Sequence, residues 1–582
     1  MAKPVNTQIL LDGKAILATT SYTISLEQKV VSHHQLIITC PTESIENPSG
    51  DFASKAKEYM GKRLTLLVND DQLVFIGVVE NVNIHKYDGG QGLFVITVYS
   101  PTLLMAHGKD SQSYEKKSLA AIIKEATREY PTDTLKIVSK PVFTGTIPYT
   151  VQYKESDFDF MCRLAKRYGE WLYYDGEEVK FGGYDNTSHP LIFGEDLSEF
   201  SFVMKVRPQN HTYLAYDALE AKTHDSSSSD HKQNVSNPYI SSITQASSKL
   251  FAKKPTSLYN HTLLENGKPE LDAVLKLKAQ HALNTLVFSG KSDEPKVAIG
   301  SVIEVTGKNT QVAGQTDVYG SYIITSITHS INNSGEYTNS FESVPVDIKV
   351  PIYFDEDATP ACEEQYATVK ENNDPKGMGR IRVQFPWQTA TNQLSPWLRV
   401  STPYAGKGKG FHVLPELDEE VLVGFENGNA EKPFVLGSMF HGKGKSGQGG
   451  AGNYIKGFTT ASGTKVEMND EKSTVTISDP SGSTIILNGD GTITIEAPDK
   501  IDIRSKEINI EGEDSVNIKT KAAKINGTES VNIDSNTLIE ANSKQNISIE
   551  GTLSAKVTSK TMVDIDGGMT TSVKGATAIT LN

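Results

Sequence analysis

Residue types able to do chemistry occur throughout this 582-residue chain, but nowhere do they converge. GSMFHGKG, residues 437–444, comes within one position of a phosphate-cradling P-loop. Gly444, however, stands where a Ser or Thr would hold Mg2+, and the segment follows a strand-like stretch rather than opening a helix, so it reads as linker. His33 and His34 are adjacent and the other histidines are isolated. With no metal or catalytic spacing among them, surface and packing roles are expected, and no metal or cofactor. Cys40, Cys162 and Cys362 are far apart and odd in number, and imply neither a disulfide framework nor a metal motif. Carboxylates are plentiful, but no motif marks a glycosidase pair. Arg163, Arg380 and Arg382 could hold phosphate, yet in a β-rich assembly they are expected to bridge carboxylates. No catalytic residue is assigned, and a non-enzymatic protein is expected.

The strongest regularity lies at the other end of the chain. From Ile485 onward, two apolar residues flanking one other residue recur as Ile485/Leu487, Ile493/Ile495, Ile501/Ile503, Ile508/Ile510, Val516/Ile518, Ala523/Ile525, Val531/Ile533, Ile539/Ala541, Ile547/Ile549, Ala555/Val557, Val563/Ile565, Thr571/Val573 and Ile579/Leu581. The step is eight residues, with two steps of seven. Four residues into each unit stands a small residue: Gly489, Ala497, Ser505, Gly512, Thr520, Gly527, Ser535, Ser543, Gly551, Ser559, Gly567 and Gly575. An apolar–polar–apolar triplet is a short strand showing one face to a core, and a small residue after it permits a corner, with Gly allowing positive φ. One octad offers a single inward face, whereas a single-chain solenoid closes its turn with about twenty residues or more. Three chains wound together would close a prism with one octad per face. The expected fold is therefore an intertwined triple-stranded β-helix (β-prism) in a homotrimer, roughly 60 Å long at about 4.8 Å per layer. The middle residues Asp502, Asn509, Asn517, Lys524, Asn532 and Asp564 read as its solvated surface. A monomeric β-solenoid is the competing fold.

Length calls for several domains. The net charge of −14 argues against nucleic-acid binding. The first twenty residues carry no signal-peptide core, and no stretch approaches the ~20 apolar residues of a membrane span. A protein made in the cytoplasm, and leaving it by a route without a cleaved signal, is expected.

Taken in order, residues 1–105 read as β-rich, with strands such as YTISLEQ, HQLIITC, KRLTLLVN and LFVITVYS. A helix is expected over 118–130, capped by Ser118, and a second in ESDFDFMCRLAKRYGEWLYYDG, where Ser156 caps, Asp159 takes the capping-box position and Gly169 ends the helix. Residues 223–255, rich in Ser, Asn, Lys and His, read as a mobile surface loop, and a third helix is expected over 271–286. Five strands, RIRVQF, PWLRVST, FHVLPEL, EEVLVGF and FVLGSMF, fit a small barrel. The Gly-rich segment 441–453 and hairpin-sized pieces lead into the octads. The divisions are 1–355 for a region of two barrel-like domains with inserted helices, 363–442 for the small barrel, 443–484 for connector and neck, and 485–582 for the octads.

This combination resembles the VgrG family, the trimeric spikes of type VI secretion, and equally the hub and needle of related contractile injection systems and phage baseplates. Glu155, Ser156, Asp157, Phe160, Arg163, Leu164 and Gly169 match the family's hub signature. Gly379, Arg380, Arg382, Phe385, Trp387 and Trp397, in DPKGMGRIRVQFPW…SPWLRVSTPYAG, look like its OB-fold module. Asp418 departs from a glycine common in the family's P-x-x-G-x-E-V segment, which suggests a divergent branch. The resemblance implies β-barrel hub domains presenting a pseudo-sixfold base to a hexameric, Hcp-like tube protein, with the octads as needle. It further implies baseplate proteins, effector cargo and a PAAR-type tip protein as partners, the last placed at Ile579, Leu581 and Asn582 on position alone. The target membrane is met only transiently. With no histidine after His441 and no domain beyond the last octad, a plain shaft with a separate point is expected. The alternatives are the hub-spike of an extracellular phage-tail-like particle and, in a different class, a trimeric tailspike-like protein that binds or hydrolyses glycans.

Overall fold

The computed structural model describes residues 3–17, 21–45, 52–88, 92–259, 267–309, 311–312 and 314–580. The chain divides into two units, Met1–Pro480 with Ile485–Thr494 and Ser481–Thr484 with Ile495–Asn582.

The first unit is mainly β. Strand Glu336–Pro345 pairs with Leu286–Ser292, which pairs in turn with Leu197–Met204; that strand meets Ser188–Phe193, then Val302–Lys308, then Thr316–Ile331, which returns to Glu336–Pro345. The ring closes as a six-stranded barrel. Its weakest joint is a single register pair, Phe193 with Leu197. Alternation along these strands puts Leu191, Phe288, Ile303, Val305, Tyr322, Ile324 and Phe341 inside. Phe288 and Tyr322 stack at 4.4 Å.

A second sheet continues from the barrel through one antiparallel ladder, Thr23–Lys29 on Thr316–Ile331. Its order is Thr23–Lys29, Gln35–Pro41, Gly92–Tyr99, Leu73–Lys86, Arg63–Val68, Thr7–Leu11 and Lys14–Ile16. Among the described residues this sheet does not close on itself. Of the two barrels expected, one is a closed ring and the other an open sheet fused to it.

The junction ladder encloses a buried polar chain. His34 Nδ1 lies 3.3 Å from Gln28 Nε2, Gln28 Oε1 3.1 Å from His329 Nε2, and His329 Nδ1 2.6 Å from the Tyr337 hydroxyl. Burial pushes both imidazoles down, His34 to about 3 and His329 to about 3, so they are neutral at physiological pH. Each folded value lies below the ordinary one near 6.5. Stability from this source is therefore complete above pH 6.5 and falls as pH drops toward 3. By pH 5 the loss is about 2 kcal/mol per histidine. Urea unfolding at pH 7 and pH 5 should show it, and a His34→Asn/His329→Asn variant should have the shallower pH slope. Equal slopes would refute the assignment.

Among the described residues the α-helices are α1 (Phe52–Tyr59), α2 (Leu119–Ala126), α3 (Asp157–Tyr168), α4 (Pro238–Leu250) and α5 (Lys268–His281). The Ser118 hydroxyl caps α2 by accepting from Ala121 N. Three expectations are corrected here. Residues 223–255 are not a mobile loop. They hold the end of strand Lys222–Ser227 and the whole of α4, whose first turn is set by Pro238 and by Asn237 Oδ1 accepting from Tyr239 N and Ile240 N. Ile240 and Ser247 bury one face of α4, enough to order a Ser-rich stretch that composition assigns to loop. The third helix, α5, starts before 271 and stops at His281, so that Leu286 begins a barrel strand. FHVLPEL forms no strand: its backbone bonds are isolated ones, such as Phe411 N to the Tyr404 carbonyl, and Phe411, Val413 and Leu417 are exposed.

The small module is an antiparallel sheet in the order Arg382–Gln384, Gln365–Glu371, Glu420–Phe425, Pro433–Ser438. Ala367, Val369, Ile381, Val383, Phe385, Leu398, Val421, Val423 and Val435 pack inside it. PWLRVST adds only isolated bridges, at Leu398 and Val400. A five-stranded meander follows, in the order Ile455–Thr459, Lys465–Asn469, Thr474–Ser478, Thr484–Leu487 and Ile493–Glu496, so that the first two octads lie on strands. Among the described residues no helix is long and apolar enough to cross a membrane.

In the second unit, residues 497–580 form no strand ladder within the chain. Backbone bends recur at 498–499, 506, 513–514, 521, 528–529, 536–537, 544–545, 552–553, 560–561, 568–569 and 576–577, one per octad. The intertwined triple-stranded helix expected for this segment is not formed by one chain.

Candidate functional site

The hub motif builds one end of a joint. Strand Thr146–Glu155 runs into α3, where Ser156 Oγ accepts from Asp159 N at 3.1 Å and donates to Asp159 Oδ2 at 2.7 Å. Asp157 accepts from Gln152 Nε2 at 2.8 Å and from the Tyr130 hydroxyl at 2.5 Å. These acids favour the positive end of the helix, and Gly169, at φ 67, closes it in the left-handed region. Phe160 and Leu164 are buried in the core, with Phe160 stacked on Tyr114.

The next turns of α3 carry Arg163 and Arg167, four residues apart and so on one face. Both reach Glu431, which comes from the turn between two strands of the small module and is fully buried. Arg163 Nη1 donates to Glu431 Oε1 at 3.2 Å, its Nε and Nη2 clasp Glu155 at 2.7 and 2.8 Å, and Arg167 Nη1 pairs with Glu431 Oε2. The Thr150 hydroxyl adds a bond of 2.6 Å to Glu431 Oε1. Burial alone would raise the Glu431 carboxyl, but the Arg167 and Arg163 guanidiniums overcome it and hold the group below the usual range.

The OB motif supplies the rest of the seam. Arg382 Nη2 donates to Glu115 Oε2 at 2.6 Å, across to hub strand Asp110–Ser118, while its Nε donates to the Ser395 carbonyl. Gln388 Nε2 donates to Ser113 Oγ at 2.7 Å, and Ser113 N to Gln393 Oε1 at 3.0 Å. Trp387 stacks on Phe385, lies 6.3 Å from Tyr153, and donates to Gln365 Oε1 at 2.9 Å. Arg380 stays within its module. It clasps Asp374 at 2.9 and 2.7 Å and holds that carboxyl far below its ordinary value, with Trp397 beneath the guanidinium. Gly379, at φ 71, makes the turn before Arg380. The three arginines thus bind carboxylates, Arg163 and Arg382 doing so across the seam between the two modules.

Glu431, Arg167, Thr150 and Glu115 have no place in the motifs read from the sequence. The available signal was the second arginine, since two cations on the buried side of an amphipathic helix require a counter-charge. Where that charge lies, some 260 residues away, is not local information.

The octads place their aliphatic pairs in solvent. Ile508 is 49 % exposed and Ile510 73 %, and Ile485, Ile493, Ile501, Val516, Ile518, Val531, Ile533, Ile547, Ile549, Val563 and Ile565 are likewise exposed. At the corners, Ser and Thr hydroxyls accept from backbone N–H groups two or three residues on: Ser535 from Thr537 and Leu538, Ser559 from Thr561 and Met562, Ser543 from Gln545, Thr520 from Ala522. The corner glycines from Gly512 onward do not take positive φ, contrary to the expectation. A Cβ there would lie within 2.2–2.7 Å of a neighbour, at Gly527 and Gly551 the carbonyl three residues ahead, so close approach is the reason for Gly.

Two family profiles match. That of the phage tail baseplate hub (GPD) covers residues 49–335, and that of the type VI secretion system/phage-baseplate injector OB domain covers residues 365–440. The chain belongs to the VgrG spike-protein family. It is similar to the type VI secretion system spike protein VgrG1a of Pseudomonas aeruginosa, with 21 % identity over 72 % of this chain and 69 % of that protein. It is also similar to VgrG4b of the same organism, with 23 % identity over 50 % of this chain and 39 % of that protein. Against three of the curated relatives it matches, the chain spans only 28 to 40 % of their length. A half-lidded Francisella PdpA–VgrG complex shares the fold with a TM-score of 0.53 at 10 % identity, over 85 % of this chain and 88 % of that one. Family members combine this hub with this OB domain, which makes the seam around Glu431 a joint between two family modules.

Proposed function

We propose that this chain is the trimeric hub and spike of a contractile injection system of the type VI secretion kind. In this reading it connects an inner tube to a tip and is driven through a target membrane to deliver effectors. The role is mechanical, and no reaction is assigned. The observation that carries the reading is the octad stretch 497–580, in which corners recur once per unit, aliphatic pairs stand in solvent, and no ladder forms within the chain. Such a segment is stable only when other chains cover it and satisfy its backbone. Two further copies supply both, and the exposed Phe411, Val413 and Leu417 of the OB module add apolar surface for the same contact.

The six-stranded barrel and the sheet fused to it are the parts proposed to seat on a hexameric, Hcp-like tube protein, with baseplate proteins around them. The last octads are proposed to receive a PAAR-type tip. Ile579 is half exposed, while Leu581 and Asn582 lie outside the described residues. In the test, a strain lacking the gene is complemented with the wild-type chain or with one bearing Asp at Ile518 and Ile533. The wild type should restore contraction-dependent effector delivery, and the variant should abolish it although the protein accumulates. Delivery undiminished by the variant would refute a spike role.

A further inference from the structure

We propose that Asp217, Glu220 and His224 form a binding site for one first-row divalent cation of the zinc or manganese kind. The site lies at the tip of the hairpin made by Thr212–Asp217 and Lys222–Ser227, within the first unit and apart from the seam. In that hairpin His224 stands opposite Ala215, and Asp217 opposite Lys222. Asp217 and Ala215 share a face, so the imidazole and the carboxylate are diagonal neighbours on one side of the ladder. Glu220 reaches the same point from the connecting turn. The candidate ligand atoms of the three residues all lie within 4.8 Å of one another.

The observation pointing to a ligand is an unmet need at this point. Asp217 is 1 % exposed and His224 7 %. Asp217 Oδ1 accepts from Leu219 N at 2.8 Å and Glu220 N at 3.3 Å, which fixes the carboxylate and leaves Oδ2 buried without a hydrogen bond. His224 Nε2 is also buried without one. Glu220 Oε2 lies 3.3 Å away but out of hydrogen-bond alignment. Two such atoms side by side are uncommon, because a buried polar atom that nothing meets has given up its water without replacement. A cation meets both at once. Gly267 keeps the space open, since a Cβ there would sit 2.8 Å from His224 Nε2.

The donor set selects the ion. One imidazole nitrogen and two carboxylate oxygens suit zinc or manganese, whereas calcium prefers six to eight oxygens. Binding distances near 2.1 Å would draw the ligand atoms to about 3.4 Å apart, a movement available to the exposed Glu220 side chain. The ion would pin the hairpin tip beside Gly267, the residue that opens α5. Leu271 and Leu275 of that helix already pack on Tyr213 and Ala215 of the hairpin. No metal site was expected from the isolated histidines. The signal was there as Asp-x-x-Glu-x-x-x-His, a spacing that becomes a cluster only once a hairpin folds it.

The full-length chain, stripped with EDTA, is incubated with zinc chloride or manganese chloride, passed through a desalting column and assayed for metal by mass spectrometry. The wild type should retain about one equivalent more than His224→Asn. Glu220→Gln, a substitution at an exposed position, should fold normally by circular dichroism yet bind at least ~10-fold more weakly. Metal should raise the melting temperature of the wild type and not that of either variant. Equal retention by wild type and Glu220→Gln, or no retention by the wild type, would overturn the proposal and leave a histidine–glutamate ion pair in its place.

Discussion

Asp at both Ile518 and Ile533 is expected to turn a trimer into a monomer. The two positions are the second apolar residues of their octads, and both stand in solvent in the single chain. In a three-chain prism they face the axis, so the double substitution places six carboxylates in an apolar interior. Each forfeits the ~1.5–3 kcal/mol of burying an aliphatic side chain and adds a charge costing several kcal/mol more. The total exceeds the ~5–15 kcal/mol that typically holds a folded domain together. Asn517→Asp, between Val516 and Ile518 on the proposed outer surface, should leave assembly unchanged. Sedimentation velocity reads both outcomes. Trimers persisting with both aspartates would refute the register, and disassembly by the Asn517 variant would invert it.

The second large effect is expected at the seam. Glu431→Gln keeps shape and hydrogen-bonding atoms but removes the charge that two buried guanidiniums share. Arg163 retains Glu155, whereas Arg167 loses its carboxylate within the protein's interior. A buried pair broken from one side costs about 3–5 kcal/mol. Chemical unfolding should show a loss of that size, and limited proteolysis should separate the module at 365–440 from the hub earlier than in the wild type. Replacing both partners, as Glu431→Leu with Arg167→Met, should recover most of the loss, because no unpaired charge remains. A loss below ~1 kcal/mol for Glu431→Gln would mean that water or rearrangement solvates Arg167 and that the seam does not depend on this cluster.

What could be read in the sequence follows the range of the interaction involved. The caps of α3 are local: Ser156, Asp159 and Gly169 act within a turn of their own position, and all three stand where the spacing puts them. The octad corners are local too, and their period survives in the structure as one bend per unit. The reason for Gly at those corners was not legible, since close approach of a carbonyl three residues ahead is a matter of geometry and not of residue type. The stretch 223–255 misled because a Ser-rich composition resembles a loop, while two buried residues and an Asn–Pro cap suffice to make α4. FHVLPEL misled in the opposite direction. Its alternation of apolar residues is genuine, but among the described residues it meets only isolated hydrogen bonds and no ladder, and a strand without a ladder is only an extended segment. The Arg163–Glu431–Arg167 cluster and the Asp217–Glu220–His224 group need long-range or cross-strand folding before they exist at all.

The central claim is that the octads are one third of a three-chain object, and the molar mass of the purified full-length chain tests it most directly. Multi-angle light scattering should give about three times 63.5 kDa at micromolar concentration, with no monomer peak on dilution. A stable, folded species of 63.5 kDa would contradict the account, since the exposed aliphatic pairs of 497–580 would then need no partner.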